Sequence, residues 1–216
     1  MAQLVLPLET APALGRADFI VADANREAVA FIDSFPNWPS PVAALHGPAG
    51  SGKSHLVAAW AKQARAEIVE VSALDETFLQ PGDAPLAIEN VDAVTPERAR
   101  DAVLFAAIER GGAILFTGRE PPSTWQATMP DLVSRYRALL SFPLWAPDDA
   151  LLSALARKLF ADRQLTVPDA VIARMILSLE RSPRAIRDFV ARADARALAE
   201  KRAVTVGLVR KLLDES

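Results

Sequence analysis

Eight residues constrain this chain more than any others: Gly47-Pro48-Ala49-Gly50-Ser51-Gly52-Lys53-Ser54. Their spacing is G-x-x-x-x-G-K-S, and a loop of this kind works only between a strand and a helix. The flanks agree. An apolar run, PVAALH over 41–46, precedes the loop, and an apolar-periodic segment from Lys53 to about Ala66 follows it. The glycines let backbone N–H groups curl around phosphate oxygens. The start of the helix adds its positive end. Lys53 can reach the β and γ phosphates, and the Ser54 hydroxyl can hold Mg²⁺. The expected ligand is therefore ADP or ATP with Mg²⁺.

The rest of the first 146 residues fits around this loop as an α/β unit. A helix is expected from an Asn25 cap to Phe35, and the proline-rich FPNWPSP breaks it. AEIVEVS, APLAIENV, AILFTG and ALLSFPLW read as four further strands. Residues 96–110 read as a helix with Pro96 in its first turn and Gly111 past its end. Short apolar strands alternating with helices imply a five-stranded parallel sheet covered on both faces. After APDD (146–149) strand signals stop. Four helices are expected: from an Asp148 cap to about Arg163, from Pro168, from Pro183, and from a Thr205 cap. The fold class is thus α/β, a P-loop domain (19–146) followed by a small all-α domain (147–216).

Composition closes other routes. The chain has no cysteine, which excludes disulfides and thiol chemistry, and its two histidines, His46 and His55, are a poor metal set. The net charge of −3 advertises no nucleic-acid surface, so sequence-specific DNA binding is not expected. No stretch approaches the roughly 20 apolar residues of a membrane span. The first basic residue is Arg16, so no export signal is expected and the predicted location is cytoplasmic.

Hydrolysis needs more than a phosphate loop. A hydrolase of this class places an acid at the end of another strand to hold the cation, with a second acid beside it to polarise water. The candidate strand ends Glu89-Asn90. Glu89 keeps a charge for Mg²⁺, but Asn90 has no proton-accepting carboxylate. Asp92 could substitute only through a bulge. The reading is a nucleotide site with weak or absent turnover of its own.

With these residues in view, the sequence from Phe19 onward resembles the DnaA-type branch of AAA+ proteins. GPAGSGKSHL is similar to that family's phosphate loop, His55 included, and FIVADANREA (19–28, with Ile20) resembles the segment bordering the adenine. LFTGREPP (115–122) resembles the end of strand four, where Thr117 occupies the sensor-1 region and Arg119 stands in place of the usual acid. Ser134-Arg135-Tyr136 resembles the arginine-finger setting, and RSPRAIRDF resembles the lid helix, with Arg184 as sensor 2 and Arg187 as the fallback. A surface salt bridge is the competing reading for Arg135, and a helix ion pair for Arg184.

The sequence ends soon after the lid helices, the layout of the Hda-type regulators in this branch. Gln3-Leu4-Val5-Leu6-Pro7-Leu8 resembles their clamp-binding peptide: leucines for apolar pockets, Gln3 as an orienting end, and a loose tether over 10–18. A plain edge strand is the alternative. The resemblance implies the DNA polymerase III sliding clamp and the DnaA initiator as partners, and a trans-acting Arg135. Association between copies of the chain is also possible within this class. The alternatives are a DnaA-related adaptor that leaves hydrolysis unchanged, or an autonomous P-loop ATPase.

Overall fold

The computed structural model describes residues 15–75 and 82–215. The peptide residues Gln3, Leu4, Leu6, Pro7 and Leu8 lie outside the described residues. Five strands, β1 (Val42–His46), β2 (Glu67–Glu70), β3 (Leu86–Glu89), β4 (Ile114–Gly118) and β5 (Leu140–Pro143), form one sheet in the order β2-β3-β4-β1-β5. Every pairing is parallel, and β1 lies in register between β4 (His46 opposite Gly118) and β5 (His46 opposite Pro143).

Side-chain alternation along the strands feeds two cores. Ala43, Leu45, Ala87 and Leu115 face α1 (Arg26–Asp33) and α2 (Lys53–Ala64), burying Phe31, Leu56 and Trp60. Val42, Ala44, Ile88, Ile114 and Phe116 face α3 (Arg98–Glu109) and α4 (Pro130–Ala138), burying Leu104, Leu132 and Tyr136. The last four helices, α5 (Asp149–Asp162), α6 (Asp169–Ser178), α7 (Pro183–Glu200) and α8 (Val206–Asp214), enclose a third core around Phe160, Met175 and Phe189. The division falls between Leu144, which packs with β1, and Leu152, which packs with the helices. None of the described helices is long and apolar enough to cross a membrane.

The caps expected at Asp148 and Thr205 form: their side chains accept from Leu151 N and Leu208 N. Asn25 holds the N-cap position of α1, but its side chain makes no cap hydrogen bond. Its amide accepts from Ala22 N and donates to Ile20 O, so it ties together the loop ahead of the helix. Pro96 is not in the first turn of α3, because Glu97 is extended (φ −142°, ψ 132°) and the helix starts at Arg98. Helix α2 stops at Ala64, where Arg65 turns left-handed at φ 56°. The segment 15–18, expected to be loose, is a 3-10 turn from Arg16 to Asp18 held by ion pairs from Arg16 to Asp33 (2.6 Å) and from Lys158 to Asp18 (3.0 Å).

Candidate functional site

The connection from β1 runs through α2 toward the β2 edge, whereas the connection from β4 runs past β1 to β5. The chain therefore diverges at the carboxyl ends of β1 and β4, where open parallel sheets form their ligand crevice. The phosphate loop fills this point. Gly47, Gly50 and Gly52 all take positive φ (146°, 76° and 104°). A Cβ at Gly47 would stand 2.0 Å from the Leu144 carbonyl oxygen, and one at Gly52 would stand 2.9 Å from the Phe19 ring. Only glycine lets the loop pass this close to β5's extension and to the segment before α1.

Lys53 opens α2 and is almost wholly buried, with its ammonium donating to Gly47 O (2.6 Å) and Pro48 O (2.9 Å). Burial pushes its pKa down. Asp92 and Glu89 oppose that shift, and Arg119 reinforces it. A buried cation held by two carbonyls is poised for an anionic oxygen, which would restore the lost hydration.

The next residue reaches across to β3. Ser54 Oγ donates to Glu89 Oε1 at 2.7 Å. Burial pushes the Glu89 carboxyl up, against the Ser54 hydrogen bond. Hydroxyl and carboxylate thus meet beside Lys53 as a hard-oxygen pair suited to a divalent cation. Among the described residues no group of three or more His, Asp or Glu side chains could hold a metal, so Ser54 and Glu89 would supply only part of a cation's ligands.

Asn90 follows in a left-handed conformation (φ 60°). Its amide N–H₂ donates to both oxygens of Glu70 on β2, at 3.1 and 2.9 Å, and its backbone N–H donates to Thr117 Oγ1 at 3.0 Å. Thr117, expected in the sensor-1 region, is buried, and its hydroxyl accepts from the Asn90 backbone N–H. Asp92 does not replace the second acid either. Its Oδ2 accepts from the backbone N–H groups of Arg119 and Glu120, at 2.7 and 2.8 Å, and so shapes the end of β4.

A cavity of about 380 Å³ lies over this arrangement, between the sheet and the helical core. That is within the usual size range of small-molecule sites. Phe19, Ile20, Leu151 and Leu155 supply an apolar wall, and Ala49 to His55 supply the floor. Asn90 and Arg119 line it from the strand ends, and Pro183, Arg184 and Arg187 from α7. Gly47 and Pro48 are not lining residues; they act through Lys53.

The two lid arginines differ from each other. Arg184 is 89% exposed and lies 3.7 Å from Asp188 on its own helix. Arg187 is the more enclosed of the two. Burial lowers its pKa, and its guanidinium lies 3.5 Å from His55 Nδ1. The other nitrogen of His55 meets Gly15 O at 3.0 Å, and its ring stacks edge-on with Phe19. His55 therefore joins the phosphate helix, the segment before α1 and the lid. Arg135 lies outside the cavity on α4, half-exposed and paired with Glu109 at 2.8 Å.

Strand order, the loop after β1 and the separate four-helix core define an AAA+ P-loop fold. Solved structures agree. Domain III of the Thermotoga maritima replication initiation protein DnaA superposes with a TM-score of 0.76 at 17% identity, over 95% of this chain and 97% of that one. AMPPCP-bound DnaA from Aquifex aeolicus gives 0.70 at 16% identity, over 88% and 69%. A Thermotoga maritima RuvB mutant gives 0.74 at 15% identity, over 93% and 72%. No protein-family model matches the sequence, and no curated protein matches it significantly.

Proposed function

We propose that this chain is a nucleotide-binding regulator of replication initiation that promotes ATP hydrolysis by DnaA rather than turning over ATP itself. One observation carries the reading: a complete phosphate-binding floor stands beside a strand end whose base position is the amide of Asn90, already bonded to Glu70. The floor residues would hold ADP or ATP. Gly47 to Gly52 supply backbone N–H groups, Lys53 supplies charge, and Ser54 with Glu89 supplies oxygens for Mg²⁺. Ile20 and Phe19 would border the base, and Arg184 and Arg187 would close from the lid. A bound nucleoside triphosphate supplies the phosphoryl chemistry. Asn90 offers no carboxylate to accept a proton from attacking water, so the state persists.

The trans activity is assigned to Arg135. Its exposure and its distance from the chain's own cavity suit a group presented to a neighbour's nucleotide, where such arginines are worth about 10³–10⁵ in rate. The match to DnaA domain III over nearly the whole of both chains supports DnaA as that neighbour. The sliding clamp is assigned to Gln3, Leu4, Leu6, Pro7 and Leu8 on sequence resemblance, with 1–18 as peptide and tether, 19–146 as the nucleotide domain and 147–216 as the lid. The setting is the cytoplasm.

ATP turnover by DnaA, measured with clamp-loaded DNA, tests the reading. The protein should accelerate it, Arg135→Ala should not, and Gln3→Ala with Leu6→Ala should lose clamp capture without a change in melting temperature. Equal stimulation by Arg135→Ala would sink the arginine-finger assignment.

A further inference from the structure

The loop resemblance includes His55 but gives its side chain no task. In the fold the ring is buried, 7% exposed, where three parts of the molecule meet. It rises from the first turn of α2. Its Nε2 meets Gly15 O at 3.0 Å, and its Nδ1 meets the Arg187 guanidinium of α7 at 3.5 Å. The ring plane is set as well. Phe19 meets it edge-on at 5.1 Å, and Phe19 is itself seated against the phosphate loop, where a Cβ on Gly52 would stand 2.9 Å from its ring.

These partners leave the ring one state. The Gly15 carbonyl can only accept, so Nε2 carries the hydrogen. The guanidinium can only donate, so Nδ1 is bare. His55 is therefore a neutral imidazole, braced on the entering chain and turning its lone pair to the lid.

The choice of partner matters for the arginine. Arg157, Arg181 and Arg184 of the same helical unit each pair with a carboxylate. Arg187 leans on a neutral nitrogen instead, so it is held without being neutralised. The carboxylates whose charge reaches it, Asp188 and Asp18, are held by Arg184 and Lys158. Arg187 lines the cavity together with Lys53. One of its five N–H groups goes to His55, which leaves the rest of the fork open to an anion.

We propose that His55 is a positioning residue of the nucleotide site: its neutral ring, braced on Gly15, holds the Arg187 guanidinium at the cavity with its charge free for a bound phosphate. The inference rests on the nucleotide reading above. The gain is in entropy. A long side chain that roams loses rotamer freedom when it meets an anion, and one already held loses less.

A double-variant cycle on the full chain, read by calorimetric titration of ADP with Mg²⁺, tests it. Arg187→Gln and His55→Leu should each weaken ADP on the order of tenfold. Together they should weaken it no more than about twofold beyond Arg187→Gln alone, because the ring acts only through the arginine. His55→Gln, whose amide can donate to Gly15 O and accept from Arg187, should recover part of the loss. Ring ¹⁵N spectra of the parent need no variant and should show Nε2 protonated and Nδ1 bare. Losses that multiply in the double variant, no loss in either single variant, or a ring protonated at Nδ1 in place of Nε2 overturn the assignment, while ADP binding by the parent leaves the nucleotide site standing. If the parent binds no ADP, or Lys53→Ala binds it as tightly as the parent, the nucleotide reading falls and this inference with it.

Discussion

The loop after β1 and the ends of β3 and β4 are neighbours in one crevice, but they meet different demands. The loop has every feature needed to grip phosphate: three left-handed glycines, a buried lysine and a hydroxyl at the start of a helix. The strand ends keep the Glu89 carboxylate but hold the Asn90 amide beside it and a guanidinium at the end of β4. Under the proposed function, binding and turnover separate by strand. A sheet can retain the first while its neighbouring ends drift toward another use.

The sharpest way to break this contrast is at Gly47. Its Cβ would overlap the Leu144 carbonyl, so Gly47→Ala should lower stability by about 3 kcal/mol or more in denaturant titration. Gly50→Ala, with Ser182 Cβ at 3.5 Å, should cost only about 1 kcal/mol. Next, Lys53→Ala should weaken nucleotide on the order of 100-fold in calorimetric titration, with the fold kept.

Restoring a base should then erase the contrast from the other side. Asn90→Glu alone sets two carboxylates face to face. Combined with Glu70→Asn, the hydrogen bond survives with its partners exchanged. The double variant should hydrolyse ATP on the order of 10²-fold faster than the parent in single-turnover assays, and no gain would show that more than a base is missing.

Two smaller effects sharpen the comparison. Burial holds the Glu89 carboxyl above its ordinary 4.5, so the fold favours its neutral form. The associated stability is full below 4.5 and is lost as the pH rises through the folded value, because the unfolded chain ionises first. Glu89→Gln, which can still accept from Ser54, should therefore raise the nucleotide-free melting temperature at pH 7 by about 2 °C. The gain should fade below pH 4.5. Arg135→Ala should change stability by less than about 0.5 kcal/mol, since its pair with Glu109 is half-exposed on both sides.

Local chemistry was legible in the sequence wherever one segment carried the whole signal. The phosphate loop is a spacing, and the caps at Asp148 and Thr205 act within three residues. Roles that depend on two distant segments were not. Asn25 is a local exception: it holds the N-cap position of α1, but its amide bonds Ala22 N and Ile20 O, three and five residues back. Asp92 looks like a spare acid until β4 ends above it. Arg119 looks like a lost sensor until the strand order sets it beside Lys53, and the Glu70 contact to Asn90 exists only because β2 lies next to β3. Helix α4 went unassigned because its nine residues bury only Leu132 and Tyr136, too few for a periodic pattern.

Phe19 and Ile20 are consecutive, yet Phe19 packs with the sheet core and Ile20 with the helical core. The backbone between them joins the two cores directly. Any swing of the helical unit over the cavity would twist that linkage and pull on the nearby Lys158–Asp18 contact. A swing of the helical unit over the cavity would then turn the chain at Gly15 with it. Spin-label distances from α5 to residue 15, taken with and without ADP, should shift together with those from α5 to α2. Independent shifts would uncouple the linkage from the lid.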